Sequence, residues 1–599
     1  MCGIFGYSHL KQDGGNVLRL MADQQLHRGP DSEGFYTNDN VGFGLRRLSV
    51  IDLVTGNQPI CNEDRTVWVV CNGEIYNYIE LNASLKDRGH RFSTKSDVEC
   101  IVHLYEELGI DCLQQLNGMF GLSLYDAKKK QLFVARDRLG IKPLYYSRTK
   151  QGFLFASELR SILATGLVSK DLDWDSLSSY LDTLYIPTPG TPFKDIAKLR
   201  PGHYLRINGA ASCEETAYWD LGVTQDHKPP RTEAEAIYAL TTLLKDSNRL
   251  QIRADVPLCA FLSGGIDSSA VVAFAAQASP IPLRTYHVVF DGASRKIDER
   301  EHARAVASRY GTVHTEVHVN REDFKRHIPK LLWHLEEPFG DLASIPTYII
   351  SAQAKKEVTV CLNGSGGDEL FAGYQHHGYL PLVRDRLLSL MDRTGLTGPV
   401  KSLLGKQNNP SRWSRLFPLY RTISQRILPE DPGALFPSDP INRILARDID
   451  GYLQSNVLFL LDKIAMAVSL EGRVPLLDHR FVQYAAHLPS SWKVRNGERK
   501  YIFKKLLEPF LPHDVLYRKK EGFGAPLQDW LDSDTAALLR NLVANGQLRK
   551  RGDITFSNFS LEALNGWDLW KVACLEIWCR VILGSSACPE GVSLKDLAT

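Results

Sequence analysis

Apolar positions in the first third of the chain fall in short runs bounded by turn formers. Trp68–Cys71, Met119–Tyr125, Leu132–Ala135 and Phe153–Ala156 have the length and composition of strands. Residues 17–26 and 98–108 instead carry apolar side chains at helical spacing. The periodicity breaks between residues 208 and 236, where Gln225-Asp226-His227-Lys228-Pro229-Pro230-Arg231 reads as a linker or surface crossing. Beyond it, strand and helix patterns alternate: 258–262, 268–278, 285–290, 298–310, 312–319, 345–355 and 358–362. Such alternation predicts a mostly parallel sheet with helices on its faces and a ligand beyond the carboxyl ends of the strands. Residues 379–450 read as short helices of an insertion, serving either as an acceptor pocket or partner surface or as ordinary cover. Residues 561–583, with Trp567, Trp570, Leu575, Trp578 and Val581, read as a core helix.

Two loops at predicted strand ends carry the chemistry. In Leu262-Ser263-Gly264-Gly265-Ile266-Asp267-Ser268-Ser269 the glycines let backbone approach an anion, and the following helix start aims amides at its charge. Asp267 suits such a site if Mg²⁺ stands between carboxylate and phosphate. In the second loop, Asn363-Gly364-Ser365-Gly366-Gly367-Asp368-Glu369, Asp368 would join Asp267 at the same metal. Each loop alone also fits an ordinary turn. The first string resembles the pyrophosphate loop of the ATP pyrophosphatase superfamily, and it lacks the Gly-Lys-Ser/Thr of a Walker loop. That resemblance implies ATP cleavage to AMP and pyrophosphate.

Composition narrows the class. With 599 residues, 44% hydrophobic and 23% charged, the chain can bury more than one core. Lys plus Arg number 71 against 69 for Asp plus Glu, a balance that gives no support for a nucleic-acid partner. No basic–apolar leader and no run of transmembrane length is present, so a cytoplasmic protein without a membrane partner is expected. Eleven cysteines without a CxxC pair argue against a disulfide framework or a structural zinc site. Arg499-Lys500 reads as solvated surface charge.

Cys2 stands apart. Removal of Met1 would leave a residue whose α-amine activates its own thiol, so that one residue supplies nucleophile and base. His27-Arg28-Gly29-Pro30-Asp31, Arg46-Arg47-Leu48-Ser49, Asn72-Gly73-Glu74-Ile75-Tyr76-Asn77 and Ser96-Asp97, with Met1-Cys2-Gly3-Ile4, resemble the glutaminase domain of class II glutamine amidotransferases. The resemblance implies a layered α/β/β/α architecture and an oxyanion hole from Asn72 and Gly73. It assigns glutamine's α-carboxylate to Arg47 and its α-amine to Glu74 and Asp97. Arg136–Tyr146 reads as a structural turn and strand, and Phe155-Ala156-Ser157-Glu158 as a contact with the second domain.

The second loop, with Leu461-Asp462-Lys463-Ile464-Ala465-Met466, Leu470–Asp478 and Tyr517-Arg518-Lys519-Lys520-Glu521-Gly522-Phe523, is similar to the glutamine-hydrolysing asparagine synthetase family. This resemblance implies an N-terminal-nucleophile glutaminase domain over residues 1–210, a linker over 211–235 and an ATP pyrophosphatase-type synthetase domain over 236–599. It places ATP on Leu262, Ser263, Gly264, Gly265, Asp267, Ser268, Gly364, Ser365, Gly366 and Lys520, with Lys520 as the cation at the transferring phosphoryl group. Mg²⁺ falls to Asp267 and Asp368. Glutamine, ATP and a carboxylate acceptor, with aspartate in the lead, are the expected partners, and a homodimer is the candidate assembly. The alternatives are another acceptor in cell-wall or natural-product biosynthesis and, more remotely, a non-synthetic glutamine sensor. One departure bears on this: Ser365 stands where family members commonly carry Glu for handling ammonia. Glu336, Glu337 and Asp341 are the nearby substitutes.

Overall fold

The structure is a computed structural model that describes residues 2–10, 14–208, 212–222, 230–291, 299–377, 436, 439–518, 530–550, 564, 566–584 and 588–598. In its first part, strands β1 (Gly3–Ser8), β2 (Ser32–Thr37), β3 (Val41–Arg47), β4 (Ile60–Cys61), β5 (Val67–Ile75), β6 (Gly118–Asp126), β7 (Gln131–Arg136), β8 (Tyr145–Thr149), β9 (Gly152–Ala156), β10 (Ala197–Lys198), β11 (His203–Asn208) and β12 (Ser212–Ala217) build two antiparallel sheets. Their orders are β10-β8-β9-β1-β3-β2 and β12-β11-β7-β6-β5-β4.

Strand alternation explains the layering. Ile4, Phe43 and Leu45 of one sheet meet Val70, Val134 and Leu205 of the other between the sheets. Phe5 and Tyr7 turn outward onto Val17, Leu18 and Met21 of the helix Gly14–Asp23. On the far side, Val69 and Cys71 turn onto Ile101, Val102 and Tyr105 of the helix Glu99–Leu108. Both faces of each central strand are therefore buried, which is why the strands read as continuous apolar runs. The result is the expected α/β/β/α stack.

The second part holds a parallel sheet of β13 (Leu258–Phe261), β14 (Arg284–Phe290), β15 (Val313–Val319), β16 (Val360–Leu362) and β17 (Glu471–Arg473), in the order β15-β14-β13-β16-β17. From β13 the chain winds outward through β14 and β15, then returns to β16 on the other side of β13. The loops after β13 and β16 consequently open into one crevice, the topological switch point where open α/β sheets bind ligands.

Two elements form against local propensity. The helix Arg321–Leu335 contains Pro329, which reads as a breaker. It forms because Asn320 caps its start, accepting from the amides of Glu322 and Asp323, and because Phe324, Ile328, Leu331 and Leu332 are buried. β17 runs over Glu-Gly-Arg, a sequence without strand character, and is buried because both its charges are paired, as described below. Most of residues 379–450 lies outside the described residues, and the helix Pro440–Asp448 is its described end. The C-terminal core helix is found over Gly566–Trp578, continued by a π-helical turn over Cys579–Leu583. Trp570 and Trp578 are buried and donate their indole N–H to the carbonyls of Gly340 and Glu336, both at 2.8 Å, whereas Trp567 is exposed. No helix among the described residues is long and apolar enough to cross a membrane.

Candidate active sites

Cys2 is buried at the head of β1, the central part of its sheet. Its backbone N–H donates to Asn72 Oδ1 at 3.2 Å, and its carbonyl accepts from Arg28 Nε at 3.1 Å. Asn72 in turn donates to Ser157 Oγ at 3.2 Å, so the amide's orientation is fixed from both ends. Burial raises the Cys2 thiol pKa, so a base is required for nucleophilic work. Arg47, at the end of β3, is held by Asn57 Oδ1 at 3.0 Å and by the carbonyls of Ile51 and Asp52 at 3.1 and 2.6 Å.

Glu74 and Asp97 are both buried, and Asp97 lies close enough to perturb Glu74. Burial, then Asp97 and Glu471, push Glu74 well above the carboxylate range. Burial pushes Asp97 up to about 6, although the Ile75 N–H donates to its Oδ2 at 2.8 Å. Arg473 opposes both shifts without outweighing burial.

The second site is a cavity of about 690 Å³ at the switch point of the parallel sheet. Leu262, Ser263, Gly265, Asp267 and Ser268 line it from the loop after β13, and Gly364, Ser365, Gly366 and Asp368 from the loop after β16. Gly264 does not line it. At φ 77° it turns the loop, and a Cβ there would sit 2.9 Å from backbone atoms of Glu299 and Ala303. Ser263 and Ser268 brace the turn through a 2.9 Å contact between their hydroxyls. The two loops touch at Gly364, where an added Cβ would lie 2.5 Å from the Ser268 nitrogen.

Asp267 and Asp368 converge on one cation. Lys500 Nζ lies 2.6 and 2.5 Å from the two Asp267 oxygens and 2.8 Å from Asp368 Oδ1. Lys500 is only 4% exposed, which corrects its reading as solvated surface charge. Burial disfavours its ammonium, but Asp267 and Asp368 outweigh this and raise its pKa. Lys520, the cation the sequence singled out, lies outside the described residues. The hard carboxylate oxygens of Asp267 and Asp368, already grouped around a cation, fit Mg²⁺.

Between the sites runs a buried network of charges. Arg28 donates to Glu158 Oε1 and pairs with Asp462 Oδ2, both at 2.8 Å. Lys463 bridges Glu158 at 2.9 Å and Glu336 at 2.5 Å, and Lys198 pairs with Glu337 at 2.7 Å. Arg473 pairs with Glu471 within β17 at 2.6 Å and reaches Glu74 Oε2 at 3.6 Å. Glu158 thus makes the contact with the second part that its motif suggested. Arg28 does more than its motif announced, since it ties the backbone of Cys2 to Asp462 in the second part of the chain.

The glutamine amidotransferase domain model matches residues 1–219, and the asparagine synthase model matches residues 239–580. The chain belongs to the asparagine synthase family. It is 32% identical over 645 residues to asparagine synthetase [glutamine-hydrolyzing] 1 of Bacillus subtilis, with 99% of each chain covered. A putative asparagine synthetase [glutamine-hydrolyzing] of Mycobacterium tuberculosis is 33% identical over 87% of this chain and 85% of its own. Amidase chry2 of Gibberella zeae is 29% identical over 89% and 88%.

Within this asparagine synthase frame, further carboxylates line the cavity that Ser365 lines. Ser365 is occupied locally, its hydroxyl donating to Asn363 Oδ1 at 2.6 Å. Glu336 and Glu337 are consumed by Lys463, Arg160 and Lys198 at the interface, so neither compensates for Ser365. Asp341 does line the cavity, and burial raises its pKa. Glu369, which sequence reasoning passed over, lines it too. Burial, then Asp368, push Glu369 up to about 7 even though Tyr374 donates to it at 2.6 Å.

Proposed function

We propose that the chain is a glutamine-hydrolysing asparagine synthetase that couples two reactions. In the first, Cys2 Sγ attacks the side-chain carbonyl carbon of glutamine, ammonia leaves, and water releases glutamate. The α-amine exposed by loss of Met1 takes the thiol proton. Asn72 and the Gly73 amide stabilise the oxyanion. Arg47 holds the α-carboxylate, while Glu74 and Asp97 hold the α-ammonium, whose charge offsets their crowding.

In the second reaction the β-carboxylate of aspartate attacks the α-phosphorus of ATP, pyrophosphate leaves, and ammonia displaces AMP from the acyl-adenylate. The loops at Ser263 and Gly364 cradle the phosphates through backbone amides. Lys500 serves as a charge clamp for the departing pyrophosphate, and Lys520 as a second. Asp267 and Asp368 would hold Mg²⁺, which supplies neutralisation of phosphate charge. Glu369, with a pKa near neutrality, takes the proton that nitrogen loses on forming the amide, with Asp341 beside it.

The observation that carries this reading is the shared cation of Asp267 and Asp368 at the contact of two glycine loops, in a chain that also opens on Cys2. Incubation with amide-labelled [¹⁵N]glutamine, ATP, Mg²⁺ and aspartate tests it. Labelled asparagine, AMP and pyrophosphate in equal amounts are expected. A second reading, amidation of another carboxylate, is favoured by Ser365, whose smaller side chain leaves room for a larger acceptor. Glutaminase activity without asparagine, together with labelling of a different carboxylate, would decide for it.

A further inference from the structure

Four side chains that line neither site described above converge on the outer layer of the glutaminase half: Glu63 in the β4–β5 turn, His90 after the helix Tyr78–Asp87, and His103 and Glu106 on the helix Glu99–Leu108. One ligand atom from each lies within 4.8 Å of every other. His103 Nδ1 stands 3.5 Å from Glu63 Oε2 and 3.3 Å from Glu106 Oε2, and His90 Nδ1 is 3.7 Å from Glu106 Oε2. A tetrahedron with zinc–nitrogen and zinc–oxygen bonds of about 2.0–2.1 Å has edges of roughly 3.3 Å. Three of the six separations therefore need to contract by no more than a few tenths of an ångström around an ion, and the other three start within 4.8 Å.

The surroundings hold these four groups as metal ligands are held. His90 Nε2 contacts Glu107 Oε1 at 3.1 Å, and His103 Nε2 faces Glu99 Oε1 at 3.8 Å. Each imidazole thus offers one nitrogen inward; a carboxylate hydrogen bond orients His90 as ligating histidines are oriented, and Glu99 stands behind His103 beyond hydrogen-bonding distance. The carboxylates are anchored likewise. Glu106 Oε1 accepts from Asn62 Nδ2 and Glu63 Oε1 from the Arg91 N–H, both at 2.9 Å, leaving each Oε2 turned to the cluster. The His103 side chain is fully buried, whereas Glu63 is 40% exposed and leaves an entry path. Two neutral imidazoles and two carboxylates balance the charge of a divalent ion, and imidazole nitrogen selects zinc over magnesium or calcium.

We propose that Glu63, His90, His103 and Glu106 form a structural zinc site that pins the β4–β5 turn and the segment after one helix to the helix that follows Asp97. The test uses the full-length, tag-free protein with Cys2→Ala to remove the nucleophile's thiol from competition. After chelator treatment it is titrated with Zn²⁺ against a chromophoric zinc indicator, and bound metal is counted after gel filtration. About one zinc per chain is expected, with a higher melting temperature. The Co²⁺ form should show the intense visible absorption of a tetrahedral site. Glu63→Gln and His90→Gln should each weaken zinc binding by at least about tenfold. In a Cys2-intact background both should keep glutaminase activity, which certifies the fold. The proposal is overturned if the protein retains no stoichiometric zinc, or if both variants bind it as tightly as their parent.

Discussion

Gly364→Ala is the sharpest test of the two-loop site. The new Cβ would meet the Ser268 nitrogen at 2.5 Å and the Asp267 carbonyl carbon and Ser268 Cα at 2.8 Å, all backbone atoms that cannot rotate away. Ordinary contact begins at about 3.4 Å, so the loop after β16 must retreat from the loop after β13 by close to an ångström. Overpacking of this kind costs about 1–3 kcal/mol, which a domain stable by about 5–15 kcal/mol tolerates. Catalysis is less forgiving, because a misplacement of about 1 Å between positioned groups costs on the order of a hundredfold. The variant should therefore fold, hydrolyse glutamine at the wild-type rate, and lose about a hundredfold in acceptor-dependent pyrophosphate release. Glutamate and pyrophosphate are measured on the same preparation alongside a melting curve. Pyrophosphate release within about threefold of wild type in a folded variant would refute the claim that these loops act as one site.

Other outcomes follow from the same geometry. Cys2→Ala should abolish glutaminase and glutamine-driven synthesis while leaving ammonia-driven synthesis intact; equal glutamine-driven rates in variant and processed wild type would exclude Cys2 as nucleophile. Asp267→Asn removes one of the two anions around Lys500 and should lower pyrophosphate release at least about tenfold without affecting glutamine hydrolysis, and unchanged release would remove Asp267 from the metal assignment. For Glu369, whose pKa is pushed up to about 7, the carboxylate is the minority form below neutrality. Ammonia-driven kcat at constant free ammonia should thus fall as pH drops through about 7, and Glu369→Gln should abolish this limb; the same pH profile in the variant would assign the limb elsewhere.

What the sequence disclosed and what it hid divide along a physical line. Asp267 and Asp368 were legible because each sits in a glycine loop at a strand end, a pattern local enough to read along the chain. The parallel sheet was legible for the same reason, since β13 and β16 are apolar, β14 ends in the apolar run Val288–Phe290, and β15 alternates valine with polar residues. Lys500 was not, because Arg499-Lys500 looks like any exposed basic pair. Only the approach of Phe371, whose carbonyl accepts from the Lys500 N–H at 3.1 Å, and of the two aspartates turns it inward. Glu369 was printed inside a recognised motif, yet its raised pKa depends on burial beside Asp368, which composition does not encode. β17 was hidden because its two charges are acceptable in a sheet only where they pair with each other and Arg473 finds the carbonyls of Gln251 and Arg253, distant in sequence.

The interface network carries that argument furthest. Arg28, Glu158, Glu336, Asp462 and Lys463 are all buried, and each is drawn from a different segment of the chain except the last two. Taking such charges out of water costs several kcal/mol per ion, which their mutual attraction and hydrogen bonds offset only when the geometry is right. Removing one member leaves another buried and unpaired, typically a loss of about 3–5 kcal/mol, whereas an apolar interface of the same shape would tolerate sliding. A charged seam of this kind therefore contributes less to stability than to register. It accepts one relative placement of the two halves, with Arg28 holding the Cys2 carbonyl at one end and Lys463 joining Glu158 to Glu336 across the boundary. For a chain that must release a reactive amine in one half and consume it in the other, fixed register is the property such a seam supplies.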